Sequence, residues 1–313
     1  MKKIFLFLTM VAVFCGPSVK KVAIVTYVSH PDLEQCVRGI KESLAEEGFR
    51  AGKDIEIREF NAHADTAKLT RIVEGLEGKY SLIIALTTPV LEAVCQKVFK
   101  TPCVFGAVSY PLGIKGMGDN YEEHRENITG VGVPPVVDKT LKYMLSVIKR
   151  KVVGVIWTPK EVNSWLELQE LKRMREYFAF KLVERMVTSV EEVEGAVKGI
   201  LGENIGGIYL LHDNTVTSRC SVVIEEADKK KVPVFGPTAL YAEKGVIFGI
   251  SADYYKVGKK VGTIGARILR GDSPKDIPII NYAPEIIYVN QTKAKKLGLS
   301  IPRELLNTAT KVF

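Results

Sequence analysis

Polar side chains with complementary chemistry follow several short apolar segments of this chain. Thr87 and Thr88 stand directly before Pro89, at the predicted start of a helix, where hydroxyl groups and free backbone N–H groups can hold an anion. Asp213 and Asp253 supply acceptors for an ammonium group or for hydroxyls. A zwitterion such as an amino acid would be served by both kinds of group. The other candidate ligand-binding residues are Ser29, Ser109, Asn163, Ser164 and Asn214.

Each of these residues also has an ordinary structural explanation. Ser, Thr, Asn and Asp are the preferred residues at helix N-caps, so any single position can be a cap and not a ligand contact. Trp157, Tyr110 and Tyr241 could face an apolar part of a ligand, although a Trp in a strand commonly belongs to the core. The binding hypothesis rests on six polar loops at one predicted edge.

Motifs for catalysis and for metal binding are absent from the sequence. It has no G-x-S-x-G, no P-loop and no zinc-ligand spacing, and the glycine-rich "GIKGMGDN" at 113–120 does not open a helix pattern. The four histidines are scattered, and the five cysteines form no C-x-x-C pair. Cys95 and Cys103 could form a disulfide in an oxidising compartment, but sequence does not determine the pairing. We expect no catalytic residue, no metal and no cofactor.

The elements that position the polar residues alternate along the chain. β-branched segments such as "VAIVTYV" (22–28) and "LIIALT" (82–87) are separated by helical segments such as 31–47 and 89–98. Near-continuous apolar strands between helices are typical of a parallel sheet with helices on both faces. The ligand crevice of such a sheet lies beyond the carboxyl ends of its strands.

The sequence contains two copies of this pattern. "KKVAIVTYVSHPDL" (20–33) corresponds to "RKVVGVIWTPKEVNSW" (150–165), and "SLIIALTTPVLEAV" (81–94) corresponds to "GIYLLHDNTVTSRC" (207–220). So long a repeat predicts two similar lobes and not a solenoid. The predicted fold class is α/β, with two doubly wound parallel-sheet lobes joined by several crossover strands and a ligand cleft between them. The predicted segments are a signal peptide at 1–18, an N-terminal lobe at 19–133 plus 246–275, and a C-terminal lobe at 134–245 plus 276–313.

The first residues have the features of a secretory signal. Two lysines precede an apolar run from Ile4 to Cys15, which is too short to cross a bilayer, and cleavage after Ser18 would satisfy the small-residue rule loosely. We expect an exported protein in the periplasm or another extracytoplasmic space. Cys15 raises the alternative of a lipid anchor, but Phe14 stands where a lipoprotein site needs Gly or Ala.

The formal net charge of +8 does not indicate a nucleic-acid partner. The basic residues are spread along helices, and "KKK" at 229–231 stands at a predicted helix end, where the helix dipole favours cations. No basic stripe interleaved with aromatic residues and no nucleic-acid-binding motif occurs in the sequence. We expect a monomer whose ligand is a small molecule.

Four segments of the chain resemble a known family, the type I periplasmic-binding-protein-like ABC transporter substrate-binding proteins, in the group that includes tryptophan- and tyrosine-binding members. The segments are "GVIWTPKEVNS" (154–164), "LLHDNTV" (210–216), the stretch from "VPVFGPTALY" to "SPKDIPI" (232–279) and "YVNQTKAKKLGLSIPRELL" (288–306). The resemblance runs from about residue 20 to the C-terminus. Two departures, His212 and the loop "TYVSHPDLEQC" (26–36), leave the identity of the ligand open.

The resemblance implies a two-lobed ligand trap that delivers a small solute to the permease subunits of an ABC importer. It also implies ligand contacts from the loops that carry Thr87, Thr88, Ser109, Asn163, Ser164, Asp213, Asn214 and Asp253. A sensor of the same fold that signals to a membrane receptor is the alternative function. An enzyme would need a base and a nucleophile that the sequence does not supply, and a cytosolic repressor would need a helix-turn-helix that it lacks.

Overall fold

A computed structural model of the chain describes residues 19–313, in which strands and helices alternate from the first strand onward. The strands are β1 (Lys20–Thr26), β2 (Ile55–Asn61), β3 (Leu82–Leu86), β4 (Cys103–Val108), β5 (Ile128–Gly132), β6 (Val152–Trp157), β7 (Lys181–Met186), β8 (Gly207–Tyr209), β9 (Val234–Phe235), β10 (Phe248–Ala252), β11 (Ile280–Asn281), β12 (Glu285–Val289) and β13 (Lys311–Val312). The helices are α1 (Pro31–Glu46), α2 (Thr66–Glu74), α3 (Thr88–Lys97), α4 (Val137–Val147), α5 (Val162–Phe178), α6 (Val193–Leu201), α7 (Asn214–Thr217), α8 (Cys220–Lys229), α9 (Tyr254–Arg270), α10 (Gln291–Lys296) and α11 (Arg303–Thr308). Short 3₁₀ turns occur at Pro111–Gly113, Ala239–Lys244 and Pro274–Asp276.

The first lobe is built on a six-stranded parallel sheet with the order β11-β5-β4-β3-β1-β2. All five residues of β3 are buried, because helices cover both faces of the sheet at its centre. On one face α1 and α9 approach each other at Gly39 and Gly258. A Cβ on Gly39 would lie 2.2 Å from the carbonyl oxygen of Tyr255, so only glycine permits this contact. The contact fixes the N-terminal ends of both helices beside the sheet edge.

The second lobe is built on a four-stranded parallel sheet with the order β7-β6-β8-β9. A bridge between Gly236 and Gly249 connects this sheet to a second one, in which β12 pairs antiparallel with β10 and parallel with β13. Phe235 and Phe248 pack edge to face across the junction, with ring centroids 5.1 Å apart. The predicted α/β class with two parallel-sheet lobes is confirmed, whereas the antiparallel β10–β12 pair was not predicted.

Three short connections pass between the lobes. They follow β5, β10 and β11 and lead into α4, α9 and β12. The strand Phe248–Ala252, which the sequence placed in the N-terminal lobe, pairs with the second-lobe strand β12, and Ile280–Asn281, which it placed in the C-terminal lobe, pairs with β5. We therefore propose that the chain returns to the first lobe near residue 252 and enters the second lobe again near residue 283.

Several further predictions concern the N-terminus and the cysteines. The predicted signal peptide, its cleavage site and the Cys15 anchor lie outside the described residues. Between residues 19 and 313, no helix is long and apolar enough to cross a membrane. Cys95 and Cys103 are both buried and free, so the disulfide that the sequence left open is not formed in this structure.

Candidate functional site

A cavity lies between the lobes, where the carboxyl ends of the two parallel sheets face each other. The first lobe contributes His30, Leu33, Thr87, Thr88, Ala107, Ser109 and Tyr254 to its wall. The second lobe contributes Asn163, His212, Asp213, Asn214, Thr217, Pro237 and Thr238.

Six of the nine predicted ligand-binding residues lie on this wall. They follow β3, β4, β6 and β8, which shows that the rule about carboxyl ends of parallel strands locates the cavity. Their contact with a ligand stays a prediction. The six are Thr87, Thr88, Ser109, Asn163, Asp213 and Asn214.

Ser29 and Asp253 lie away from the cavity wall. Ser29 accepts a hydrogen bond of 2.7 Å from Nδ2 of Asn61 and lines a groove between α1 and β2. Asp253 is the N-cap of α9, where its carboxylate accepts a hydrogen bond of 3.2 Å from the amide of Lys256. Helix capping therefore accounts for Asp253, which is the ordinary explanation that the sequence already offered.

Ser164 is fully buried behind the cavity wall and has a structural partner. Its hydroxyl donates to Oδ2 of Asp213 at 2.7 Å and accepts from the amide of Thr158 at 3.1 Å. Asp213 also accepts hydrogen bonds from the Thr158 hydroxyl at 3.1 Å and from the Val216 amide at 2.9 Å, so it caps α7. Burial and the nearby Glu161 carboxylate raise the pKa of Asp213. The three donors occupy this carboxyl group.

Glu161 organises the second-lobe loops, although the sequence gave no sign of it. The helix α5 begins at Val162, so Glu161 is its N-cap, but the buried carboxylate points toward α7. It accepts hydrogen bonds from the amide and side-chain nitrogens of Asn214 at 2.8 and 2.7 Å. It also accepts from the amide and hydroxyl of Thr215 at 2.9 and 2.7 Å. Glu161 thereby fixes Asn214 at the cavity.

Several buried polar atoms at the cavity have no hydrogen-bond partner within residues 19–313. On the wall these are Nδ1 of His30 and the Oγ1 atoms of Thr87 and Thr238, together with Oδ1 of Asn163, whose amide nitrogen donates to the carbonyl of His212. Oδ2 of Asp32, one position before the lining residue Leu33, is unpaired as well. Leaving a buried polar atom unpaired costs about 1–3 kcal/mol, so unpaired atoms are rare in folded proteins. Their concentration at one cavity indicates a binding site.

Backbone strain also concentrates at the cavity. Thr87 has φ 82° and ψ 156°, a conformation that is essentially confined to glycine, and its side chain forms no capping hydrogen bond to α3. Ala107, at the end of the neighbouring strand β4, has φ 56°. Strained residues of this kind persist where the surrounding structure holds them and are typical of ligand sites.

The two histidines of the wall differ in charge. Burial, together with the positive charges of His212 and Lys244, lowers the pKa of His30 to about 4. Burial alone would also lower the pKa of His212, but the Glu167 carboxylate, 3.0 Å from its Nδ1, raises it above the ordinary value. His30 is thus neutral near pH 7, whereas the Glu167 carboxylate favours the charged form of His212.

The apolar part of the wall differs from the predicted one. Trp157 packs against the second-lobe core, Tyr110 donates a hydrogen bond of 2.9 Å to Glu170, and Tyr241 is buried. Tyr254, in the first turn of α9, is the aromatic residue that lines the cavity, together with Leu33 as an aliphatic one. Within the described part of the chain, no cluster of three or more His, Cys, Asp or Glu residues could hold a metal ion.

A family model described as "ABC transporter substrate binding protein" matches residues 21–313. The chain therefore belongs to this family. Among characterised relatives, the tyrosine-binding protein of Clostridioides difficile is 27% identical over 282 residues, which cover 90% of this chain and 81% of the relative.

Solved structures with the same fold include a ligand-bound and a ligand-free protein. The ABC domain from Streptococcus pneumoniae in complex with L-Trp is 23% identical, with a TM-score of 0.89 over 95% of this chain and 100% of the other. The ligand-free, open structure of CD0873, an adhesive substrate-binding protein from Clostridium difficile, is 30% identical, with a TM-score of 0.68 over 94% of this chain and 99% of the other.

Proposed function

We propose that this protein binds an amino acid with an aromatic side chain between its lobes and delivers it to the permease of an ABC importer. The observation that carries the proposal is the set of unpaired polar atoms from both lobes that face one cavity, namely those of His30, Thr87, Asn163 and Thr238. A ligand that bonds to atoms of both lobes stabilises the closed arrangement, because these contacts exist only when the lobes are together.

One end of the cavity suits the α-carboxylate and α-ammonium groups of an amino acid. The hydroxyls of Thr87 and Thr88 lie at the N-terminus of the ten-residue helix α3, whose first amides have no intrahelical partner. Across the cleft, Oδ1 of Asn163 is an unpaired acceptor for an ammonium N–H. From the sequence we expected Asp213 and Asp253 to accept hydrogen bonds from the ammonium group. The carboxyl group of Asp213 is occupied and Asp253 lies outside the cavity, so Asn163 takes this role instead.

Two comparisons support the ligand class and the closed state. The similarity to a tyrosine-binding protein extends over 90% of this chain, and Leu33, Ala107, Pro237 and Tyr254 give the cavity apolar walls. The TM-score is 0.89 with the L-Trp complex and 0.68 with the open, ligand-free protein, although the open protein is the more similar in sequence. The lobes of this chain are therefore arranged more like those of the L-Trp complex than like those of the open protein.

We propose further that the protein is exported from the cytoplasm. The basic and apolar residues at the start of the chain fit a cleaved signal, which would place the ligand site outside the cytoplasm. There the closed, loaded protein would dock on permease subunits. Co-purification from membranes with permease subunits, and not with a receptor kinase, separates transport from the alternative sensing role.

Mass spectrometry under native conditions tests the ligand class directly. We expect the purified protein to carry a bound amino acid, and L-tyrosine or L-tryptophan to raise the midpoint of thermal unfolding of the emptied protein, since ligands that bind only the folded state stabilise it. Asn163→Ala should reduce this rise, and Asn307→Ala, an exposed asparagine on α11, should not. A rise with ribose and none with any amino acid would overturn the proposed ligand class.

A further inference from the structure

Three of the unpaired polar atoms near the cavity, those of His30, Asp32 and Thr238, are grouped around Asp32. Asp32 stands in the first turn of α1, and the residue is 1% exposed. Its Oδ2 has no hydrogen-bond partner among the described residues and lies 3.7 Å from Nδ1 of His30, which is also unpaired. From the second lobe, the hydroxyl of Thr238 lies close enough to the Asp32 carboxyl group to favour its ionised form, although the two form no hydrogen bond of ordinary geometry. Three partnerless groups from both lobes thus meet at one place.

This group is separate from the Thr87 end of the cavity. The helix α3 contacts α5, which carries Asn163, whereas Asp32 on α1 interacts with Thr238 and His212. A ligand whose charged end lies between Thr87 and Asn163 would therefore extend its side chain toward Asp32. The apolar residues Leu33 and Tyr254 lie beside this path.

We propose that Asp32, with His30 and Thr238, binds a hydroxyl group at the end of the ligand's side chain and so selects a tyrosine-like over a phenylalanine-like amino acid. The inference rests on the proposed function and specifies its ligand. A hydroxyl fits because it donates one hydrogen bond and accepts others. It can donate to the carboxylate of Asp32 while it accepts from Thr238 or His30.

A cationic side chain fits this place less well than a neutral hydroxyl. Burial raises the pKa of Asp32 to about 7, and Thr238, His212 and Lys244 oppose this rise. The two positive groups, His212 and Lys244, do not offset burial, so the carboxyl group is partly protonated near pH 7. A neutral hydroxyl can bond to either form, whereas a lysine or arginine ligand needs the ionised form. A site whose buried polar groups bind a ligand hydroxyl also rejects a ligand that lacks the hydroxyl, because those protein groups would then stay unpaired.

The test compares L-tyrosine with L-phenylalanine, which differ only in the hydroxyl, by calorimetric titration of the emptied protein. We expect the wild type to bind L-tyrosine roughly 10- to 100-fold more tightly, the range for a hydrogen bond to a charged group. In Asp32→Ala this preference should disappear, through a loss of tyrosine affinity and an equal or higher phenylalanine affinity. Asp65→Asn, at the exposed N-cap of α2, should keep the wild-type preference.

The pattern of affinities separates the possible failures. A gain or retention of phenylalanine affinity shows that Asp32→Ala is folded, so a loss confined to tyrosine supports the inference. Equal binding of both amino acids by the wild type, or an equal loss of both in Asp32→Ala, would overturn it while the proposed function stands. Tighter binding of L-lysine than of L-tyrosine would also overturn it. Binding of no amino acid would overturn the proposed function together with this inference.

Discussion

The hydroxyl of Ser164 donates a 2.7 Å hydrogen bond to Oδ2 of Asp213, whereas Oδ1 of the adjacent Asn163, a residue of the cavity wall, has no partner among residues 19–313. Two consecutive residues of one helix turn therefore have different roles. Ser164 holds the cap of α7 in place, and Asn163 is available to a ligand. The sequence grouped the two residues as one binding pair.

Single substitutions should separate these roles. Ser164→Ala leaves the buried Asp213 carboxyl group short of one donor, and we expect it to lower the free energy of unfolding of the empty protein by about 1–3 kcal/mol. Asn163→Ala removes an unpaired buried atom and should change that stability less, while it weakens ligand binding more. Urea unfolding of both empty variants and calorimetric titration with L-tyrosine measure the two quantities. The reverse order of effects would contradict the assignment.

The backbone of Thr87 makes a second prediction. Because its φ of 82° suits glycine, Thr87→Gly should relieve strain of about 1–3 kcal/mol and raise the stability of the empty protein, even after the entropy cost of glycine. The same change removes the unpaired hydroxyl and should weaken ligand binding. Thr88→Gly, within the first helical turn, is the matched control and should lower stability. Equal destabilisation by the two glycine variants would show that Thr87 is not strained.

The pKa of Asp32 gives a third prediction, with a definite sign. The folded protein holds this pKa near 7, above the model-peptide value of 3.8, so the unfolded chain ionises first as pH rises. Asp32 therefore lowers stability increasingly between about pH 4 and pH 7, by up to about 4 kcal/mol, and the effect is constant above pH 7. Asp32→Asn should stabilise the empty protein at pH 8 and change it little at pH 4.

The control for this pH dependence is the difference between the variant and the wild type. The other titratable groups near Asp32 are present in both proteins, so the difference retains only Asp32 and its charge interactions with them. These groups are His30, Cys36, His212, Cys220, Lys244, Tyr241 and Tyr254. A difference in unfolding free energy that does not change between pH 4 and pH 8 would mean that Asp32 is ionised in the fold throughout.

The lobes and most of the cavity wall follow from local patterns in the sequence. Apolar strands that alternate with helices predict parallel sheets, and residues in the loops after β3 and β8, such as Thr87 and Asp213, then lie at the shared edge. Asp253 also follows a strand, but β10 pairs antiparallel with β12 and leads directly into α9, where Asp253 becomes a cap. The rule that ligand sites lie at the carboxyl ends of strands thus applies to the two parallel sheets and fails at the connection from β10 to α9.

Buried carboxylates could not be identified from local patterns. Glu161 and Asp32 each stand at the start of a helix, where acidic residues ordinarily stay in solvent and interact with the helix dipole. Their burial depends on loops far along the chain, the one at Asn214 for Glu161 and the one at Thr238 for Asp32. One available signal was position, since Asp32 lies four residues after the first apolar segment, "VAIVTYV" (22–28).

Calorimetric titration of L-tyrosine into the emptied wild-type protein tests the central claim most directly. Ligand is removed by unfolding in denaturant and refolding before the titration. We predict saturable binding of one molecule per chain with a Kd of about 1 μM or lower, which corresponds to about −8 kcal/mol. The contradicting result is that none of L-tyrosine, L-tryptophan and L-phenylalanine shows saturable binding up to about 1 mM. The binding free energy would then be weaker than about −4 kcal/mol, and the protein would not be an aromatic amino-acid trap.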